Sequence, residues 1–442
     1  MSLIAVINLG GSADLGDLLD SADGLCDLVL VNVADTPWSA HDRAALEGIV
    51  DFVEGTGRPV GDLCEDLAAR GVTGVVTFSD EMIPTAAEVA RRLGLPYHDP
   101  DTALAVTHKD EQRRRLTEAG LRQPRHASFT DEAGMARAVA HVGFPAVLKP
   151  VCGNGSTNVF PVEDEDGLRA ALAQAAEGTP ERATVYEGRH GFASADPWQL
   201  EERIVGVPHP AGDSLADYVS VETLTLGPGD HWHFWVTDRL PMHPPLREGG
   251  ATGPSQLPDA LRDEVCATVA AGLDAVGVTT GISHTEVKLT ADGPCIIEIN
   301  GRIGGMISQL VRAAGGQDAM RAALQAAMGR PERGEDTSDR YSCAMFVQAP
   351  TDAVRVRRLV DPARLHEVPG VWRVDSHVSP GTEIDLRTGV LGRLQTVWLG
   401  AATPEELRGA CDRVREVLKD GNEYDTRTDV AAGAGTPAEA RA

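Results

Sequence analysis

Residues 284–305 read HTEVKLTADGPCIIEINGRIGG, and their two-residue period leaves this stretch little choice but a β-hairpin. In steps of two, His284, Glu286 and Lys288 share one face of a strand while Thr285, Val287 and Leu289 take the other. After the turn-like Ala291-Asp292-Gly293, a second strand sets Ile296, Glu298 and Asn300 on one face and Cys295, Ile297 and Ile299 on the other. A three-residue turn with Gly293 left-handed pairs Thr290 with Pro294 and so places Glu286 opposite Glu298. Facing acids repel, so a sheet that keeps both needs a cation between them, either Lys288 or a metal. Asn300 adds a neutral oxygen, and two carboxylates with an amide oxygen are hard ligands suited to magnesium beside a polyphosphate. A solvated polar face on an edge hairpin accounts for this stretch alone equally well, so other segments must decide.

The rest of the chain narrows the class. Its 442 residues, 42% hydrophobic and 24% charged, suit a globular protein of two or three domains. Acidic residues outnumber basic ones 66 to 40, a formal charge of -26, which argues against nucleic acid or an anionic membrane as a partner. Seven scattered cysteines without CxxC spacing give neither a disulfide framework nor a zinc ribbon, and a reducing cytoplasm fits best. The N-terminus has no basic leader, and no apolar run approaches twenty residues, so neither export nor membrane spanning is expected.

Up to about residue 107, apolar runs such as LIAVINLGG, CDLVLVNV and GVTGVVTF alternate with helical stretches, as in a small parallel α/β domain. KDEQRRRLTEAGL, from Lys109, reads as a helix closed at Gly120. The strand PAVLKPV carries Lys149 into CGNGSTNV, where Gly153 and Gly155 permit close backbone approach and Ser156 and Thr157 supply hydroxyl donors. There is no GxxxxGK[ST], and this loop joins two strands, so it would close over a phosphate as a flap. His231 and His233 alternate beside Trp232 and Trp235, which suits a strand face near a substrate pocket; H-x-H spacing also admits zinc.

In order, Lys109, GFPAVLKPVCGNGS, LEERIVG, DYVSVETL, HTEVKL and EINGRIGG resemble the ATP-grasp carboxylate-amine ligases, and among them the L-amino-acid ligases that form dipeptides. The resemblance implies an α/β (α+β mixed) ATP-grasp fold. Its parts would be an N-terminal parallel-sheet domain (1–107), a central nucleotide flap (108–200), a C-terminal domain with the metal hairpin (201–428) and a disordered tail (429–442). It also implies that Lys109 and Lys149 hold ATP phosphates under the loop of Gly153, Gly155 and Ser156. Glu201, Glu202 and Ile204 would line the adenine and ribose hinge on a strand edge. Glu286, Glu298 and Asn300 would bind two magnesium ions, with manganese an alternative. Arg302 and Lys288 would act in catalysis, and Glu222, Glu248, His284, Arg302 and Gly305 would face the substrates. One departure stands out: where these ligases carry E-x-G-H, this chain has Glu248-Gly249-Gly250-Ala251.

The reaction so implied joins an amino acid or similar acid to an amine through an acyl phosphate, releasing ADP and phosphate. Small-molecule acid and amine are the expected partners, and a homodimer is left open. A bicarbonate-using carboxylase and a non-catalytic nucleotide-binding protein are the rival readings.

Overall fold

A computed structural model describes residues 2–8, 10–33, 39–177, 197–335 and 337–428; the expected disordered tail, 429–442, lies outside the described residues. The continuous apolar runs near the N-terminus are strands covered on both faces, as parallel strands must be. They are β1 (Ser2–Ile7), β2 (Cys26–Asn32), β3 (Asp51–Glu54) and β4 (Val72–Val76), in a parallel sheet of order β3-β2-β1-β4. The helix Leu15–Ala22 follows β1, capped by the Asp14 side chain on Gly16 N.

The second sheet is antiparallel, in the order β5-β8-β6-β7: β5 (His126–Phe129), β6 (Ala146–Pro150), β7 (Phe160–Val162) and β8 (Trp198–Glu202). It has its own core, in which Leu148, Phe160 and Leu200 meet Met135 and Leu168 from two helices. The third sheet, with eight strands, holds β9 (Tyr218–Gly227), β10 (Asp230–Arg239), β11 (Gly250–Gly253), β12 (Gly281–Thr290), β13 (Gly293–Asn300) and β14 (Tyr341–Val347). Two later strands complete it, while β15 (Ala353–Arg358) pairs separately with the last strand, β18 (Glu423–Thr426). Those two are β16 (Val371–Ser376) and β17 (Gln395–Ala401), giving the order β13-β12-β9-β10-β11-β14-β17-β16.

Two buried clusters tie these layers together. Ile307, Leu310, Met320 and Leu324, from the helices Ile307–Ala313 and Ala319–Ala327, join Ile4 and Phe78 of the first domain to Trp235 and Ala344 of the large sheet. Under the opposite end of that sheet, Leu116 of the helix Lys109–Glu118 meets Val265 and Leu273 of the helix Asp259–Val276. Both clusters bring the first domain and the helix that begins with Lys109 up against the hairpin.

The hairpin turn differs from its expected form. Thr290 pairs with Gly293, leaving a two-residue turn of Ala291 and Asp292, and a bulge at Ile297 restores Glu286 opposite Glu298. The bulge also exchanges two side chains across the strand: Ile296 enters the core with Ile299, and Ile297 faces the cleft beside Glu298. Alternation alone cannot register such a shift, because one extra residue reverses every later face.

Candidate active site

Helix periodicity builds the first part of the site. Lys109, Gln112, Arg113 and Leu116 lie on one buried face of their helix at spacings of three and four. Gln112 receives the amide of Ile299 at 2.9 Å and donates to its carbonyl at 2.8 Å. Arg113 donates to the carbonyls of Ile296 and Ile297 at 2.9 and 2.7 Å, on either side of the bulge. These two side chains brace the strand that presents Glu298. They were missed in the sequence, although the i, i+3, i+4, i+7 pattern of a polar buried face was a usable signal.

Arg113 also forms a two-pronged ion pair with Glu201, at 2.8 and 3.1 Å, and Lys149 reaches the same carboxylate at 2.8 Å. Burial opposes ionisation of Glu201, but these two cations hold it well below the ordinary carboxylate range. Burial pushes the Lys149 ammonium below the usual lysine value even so. Strand β8 lies inside the flap sheet, between β5 and β6. Glu201 is consequently buried, whereas Glu202 and Ile204 are half-buried and line the cleft.

Lys109 closes the phosphate side. Its ammonium donates to Gly153 O at 2.6 Å and pairs with Glu298 at 2.8 Å. Lys109, Lys149, Gly153, Ser156, Glu201, Glu202, Ile204, Glu248, Glu286, Lys288 and Glu298 all border one cleft of about 190 Å³. Eleven of the expected residues thus meet in one place, from two sheets, a helix and the loops between strands. Gly155 stands outside that lining, turned toward the C-terminal segment Leu386–Gly392.

The two facing acids do not share one cation. Glu298 has Lys109, whereas Glu286 lies 3.7 Å from His284 Nε2 and 3.9 Å from Arg239. Burial raises the cost of charge on Glu286, yet the nearby His284 imidazole and the Arg239 guanidinium hold it below the ordinary carboxylate range. Arg239 is itself buried, bonded to Glu248 and stacked 5.5 Å from the Tyr218 ring. Lys288, one of the two cations considered for the gap between the acids, pairs with Asp217 at 2.7 Å at the rim of the cleft. Asp217, Tyr218 and Arg239 were not singled out in the sequence.

Glu222, His284, Asn300, Arg302 and Gly305 lie beyond the acids, off the lining of the cleft. Glu222 is fully buried: one oxygen bonds His284 Nδ1, and the other accepts the Gly304 amide at 3.0 Å. It therefore orients His284 and the GRIGG turn, a more structural position than the substrate contact expected of it. Burial disfavours the imidazolium, but Glu222 outweighs this and raises His284 to about 9. Gly304 admits no side chain, since a Cβ there would stand 2.4 Å from His284 Nδ1. Arg302 reaches the first domain, donating to Asp80 Oδ2 from Nε at 2.9 Å and from Nη2 at 2.5 Å. Asp80 is 9% exposed, and its other oxygen, Oδ1, is buried with no hydrogen-bond partner among the described residues.

Two expectations fall elsewhere. His231 and His233 bond Thr225 and Thr223 along β9, and His231 continues to Asp274 of the helix Asp259–Val276. They serve the sheet-helix contact, away from the cleft, and among the described residues no group of three His, Cys, Asp or Glu is arranged for a metal. Ala251, where the resemblance led one to expect a histidine, is buried in the apolar cluster that contains Trp235 and Ile282.

The donor set fits magnesium. Glu286 and Glu298 are paired positions on adjacent strands, both about a fifth exposed in one cleft. The Asn300 amide makes no hydrogen bond among the described residues, so its oxygen is free to ligate.

No protein-family model matches the chain. It is 28% identical over 315 residues to the uncharacterized protein y4rH of Sinorhizobium fredii, covering 71% of this chain and 60% of that one. It is 29% identical over 278 residues to carnosine synthase 1 of Gallus gallus, covering 60% of this chain and 28% of that one. The matches thus span less than two thirds of these relatives' own lengths. In structure it is similar to the L-amino acid ligase from Bacillus licheniformis, with a TM-score of 0.72 at 19% identity over 96% of this chain and 99% of that one. A carboxyaminoimidazole ribonucleotide synthase from Aspergillus clavatus, complexed with ATP, gives 0.68 at 14% identity over 95% and 98%. From the parallel first sheet to the acidic hairpin, the chain has the mixed α/β fold of the ATP-grasp ligases.

Proposed function

We propose that the protein is an ADP-forming carboxylate-amine ligase that activates an amino acid or similar acid and joins it to an amine. One observation carries this reading: Glu286 and Glu298, paired across a hairpin, face Lys109 and Lys149 and a glycine loop in a single cleft. ATP would lie in that cleft, its phosphates within reach of the two lysines and its base near Glu202 and Ile204. Two magnesium ions held by Glu286, Glu298 and Asn300 would neutralise phosphate charge. The likeness to an L-amino acid ligase and to carnosine synthases supports an amino acid as the acid.

This chain's own residues then have distinct tasks. Lys149 and Lys109 bind and orient phosphate oxygens, a reaction that asks for positioning and charge neutralisation more than covalent help. The carboxylate oxygen of the acid attacks the γ-phosphorus and ADP leaves; the neutral amine then attacks the acyl carbon and displaces phosphate, which takes up the proton the nitrogen loses. Arg302, whose planar fork here donates to Asp80 Oδ2 and Ile303 O, would turn its remaining N–H groups to carboxylate or phosphate oxygens. Asp80 Oδ1, buried with no hydrogen-bond partner among the described residues, would accept a hydrogen from the ammonium of an amino-acid substrate. The glycine loop excludes water from the acyl phosphate.

The test is a matrix of amino acids and amines incubated with ATP and magnesium, read by phosphate release and product mass. ADP, phosphate and an amide of the expected mass support the ligase; AMP and pyrophosphate refute it. Turnover that needs bicarbonate and no amine would make the protein a carboxylase instead.

A further inference from the structure

The glycine loop that would cover the nucleotide is held from two sides. On the near side it is tied to the helix Lys109–Glu118, through Lys109 N to Val151 O at 3.0 Å and Lys109 Nζ to Gly153 O at 2.6 Å. On the far side it meets a segment more than two hundred residues later in the chain, Leu386–Gly392. There the Val390 amide donates to Gly155 O at 2.9 Å, and the Asn158 amide donates to Arg387 O at 2.9 Å. These are reciprocal main-chain bonds, as across a short piece of ladder.

The approach is close enough to dictate a residue. A Cβ on Gly389 would stand 2.0 Å from the Gly155 carbonyl oxygen and 2.6 Å from the Ser156 carbonyl carbon. Gly389 also has φ +56 and ψ −129, a conformation that side chains disfavour. Asp385 shapes the segment by accepting the Arg387 amide at 2.9 Å and the Arg387 guanidinium at 2.7 Å. On the loop side, Ser156 and Asn158 take left-handed φ values of 58 and 54 degrees. Non-glycine residues hold that geometry only where surrounding contacts over-determine it.

The geometry points to the segment Leu386–Gly392 as a clasp that seats the glycine loop, with Gly389 as its positioning residue. Nucleotide uptake and release then require the two main-chain bonds to part, and closure over the phosphates requires them to re-form. The clasp acts through the loop and touches no reacting atom. The inference rests on the nucleotide reading of the cleft, but not on the identity of either organic substrate.

The test uses the full chain, MgATP and MgADP. Hydrogen-deuterium exchange is followed in peptides covering 151–160 and 386–394, together with stopped-flow dissociation of a fluorescent ADP analogue. In the parent protein, saturating MgADP is expected to raise protection in both peptides together. Gly389→Ala is expected to increase exchange in both and to speed ADP dissociation about tenfold or more, with thermal unfolding of the remainder little changed. A folded Gly389→Ala protein that exchanges faster only in 386–394, with unaltered dissociation, overturns the clasp. If that variant does not fold, the parent decides: protection of 151–160 without any change in 386–394 overturns it equally. A parent protein that binds neither nucleotide defeats the nucleotide reading itself, a result separate from either of these.

Discussion

The two ends of the cleft are built on opposite terms. At the flap end, Arg113, Glu201, Lys149, Lys109 and Glu298 each have an oppositely charged partner within 2.8 Å. Beyond the acids, off the lining, Arg302 saturates one oxygen of Asp80, and the other oxygen, like Arg239 Nε beside Glu248 and Glu286, is buried with no hydrogen-bond partner among the described residues. Buried charges that already satisfy one another make a preorganised frame, which a phosphate can enter with little rearrangement. Neutral oxygens are left over at both ends, Thr157 Oγ1 and Asn158 Oδ1 in the glycine loop among them, but Asp80 Oδ1 belongs to a charged group, which a ligand's cation suits. The contrast assigns rigidity to the nucleotide end and selectivity to the end where the first domain meets the hairpin.

The largest effect that can break this contrast is on stability. Arg113→Ala should cost about 3–5 kcal/mol, because Glu201 stays buried with only Lys149 and the bulge carbonyls lose their donors. Chemical denaturation measures it, and a loss below about 1 kcal/mol would show that the flap end is not a frame. Glu298→Gln should lower turnover on the order of a hundredfold or more while the fold survives, since it removes one preorganised charge at the metal position. Near-normal turnover at saturating magnesium would return the hairpin to a solvated polar face.

At the other end, Arg302→Lys should still bind ATP but lose roughly 3 kcal/mol of transition-state stabilisation, as for other lost oxyanion donors. Hydroxylamine trapping reads this directly: the parent should give the hydroxamate of the activated acid and the variant much less. Equal trapping would remove Arg302 from the chemistry. The smallest effect belongs to Asp80→Asn, which keeps an acceptor for Arg302 but removes the charge offered to an ammonium. It should raise KM for an amino-acid substrate about tenfold, in line with one charge-assisted hydrogen bond of about 1.5–3 kcal/mol partly replaced. An unchanged ratio of KM between an amino acid and its deamino analogue would deny Asp80 that role.

Much of the site was legible because strands alternate. Glu286 and Glu298, Lys149 before its glycine loop, and Lys109 at a helix start could each be placed from neighbours a few residues away. The pairing of the acids even survived an incorrect turn, since the two-residue turn and the bulge at Ile297 compensate one another. The bulge itself was not legible, because it is held by Arg113 and Gln112 from 183 to 187 residues earlier in the chain. The choice between Lys288 and a metal for the gap between the acids was not legible for a related reason. Lys288 shares a strand face with Glu286, but a long side chain goes to whichever acid the fold brings nearest, and that is Asp217.

By itself, then, the sequence determined which residue types stand on which faces of the hairpin, the flap strands and the first sheet. Backbone period and turn chemistry are local, and they act before any distant segment arrives. Only the tertiary structure decided which charges pair, that Asp80 meets Arg302 across 222 residues, and that Glu222 is withdrawn into the core behind His284. Partner choice depends on distance and burial, and both come into being only when the sheets and helices pack.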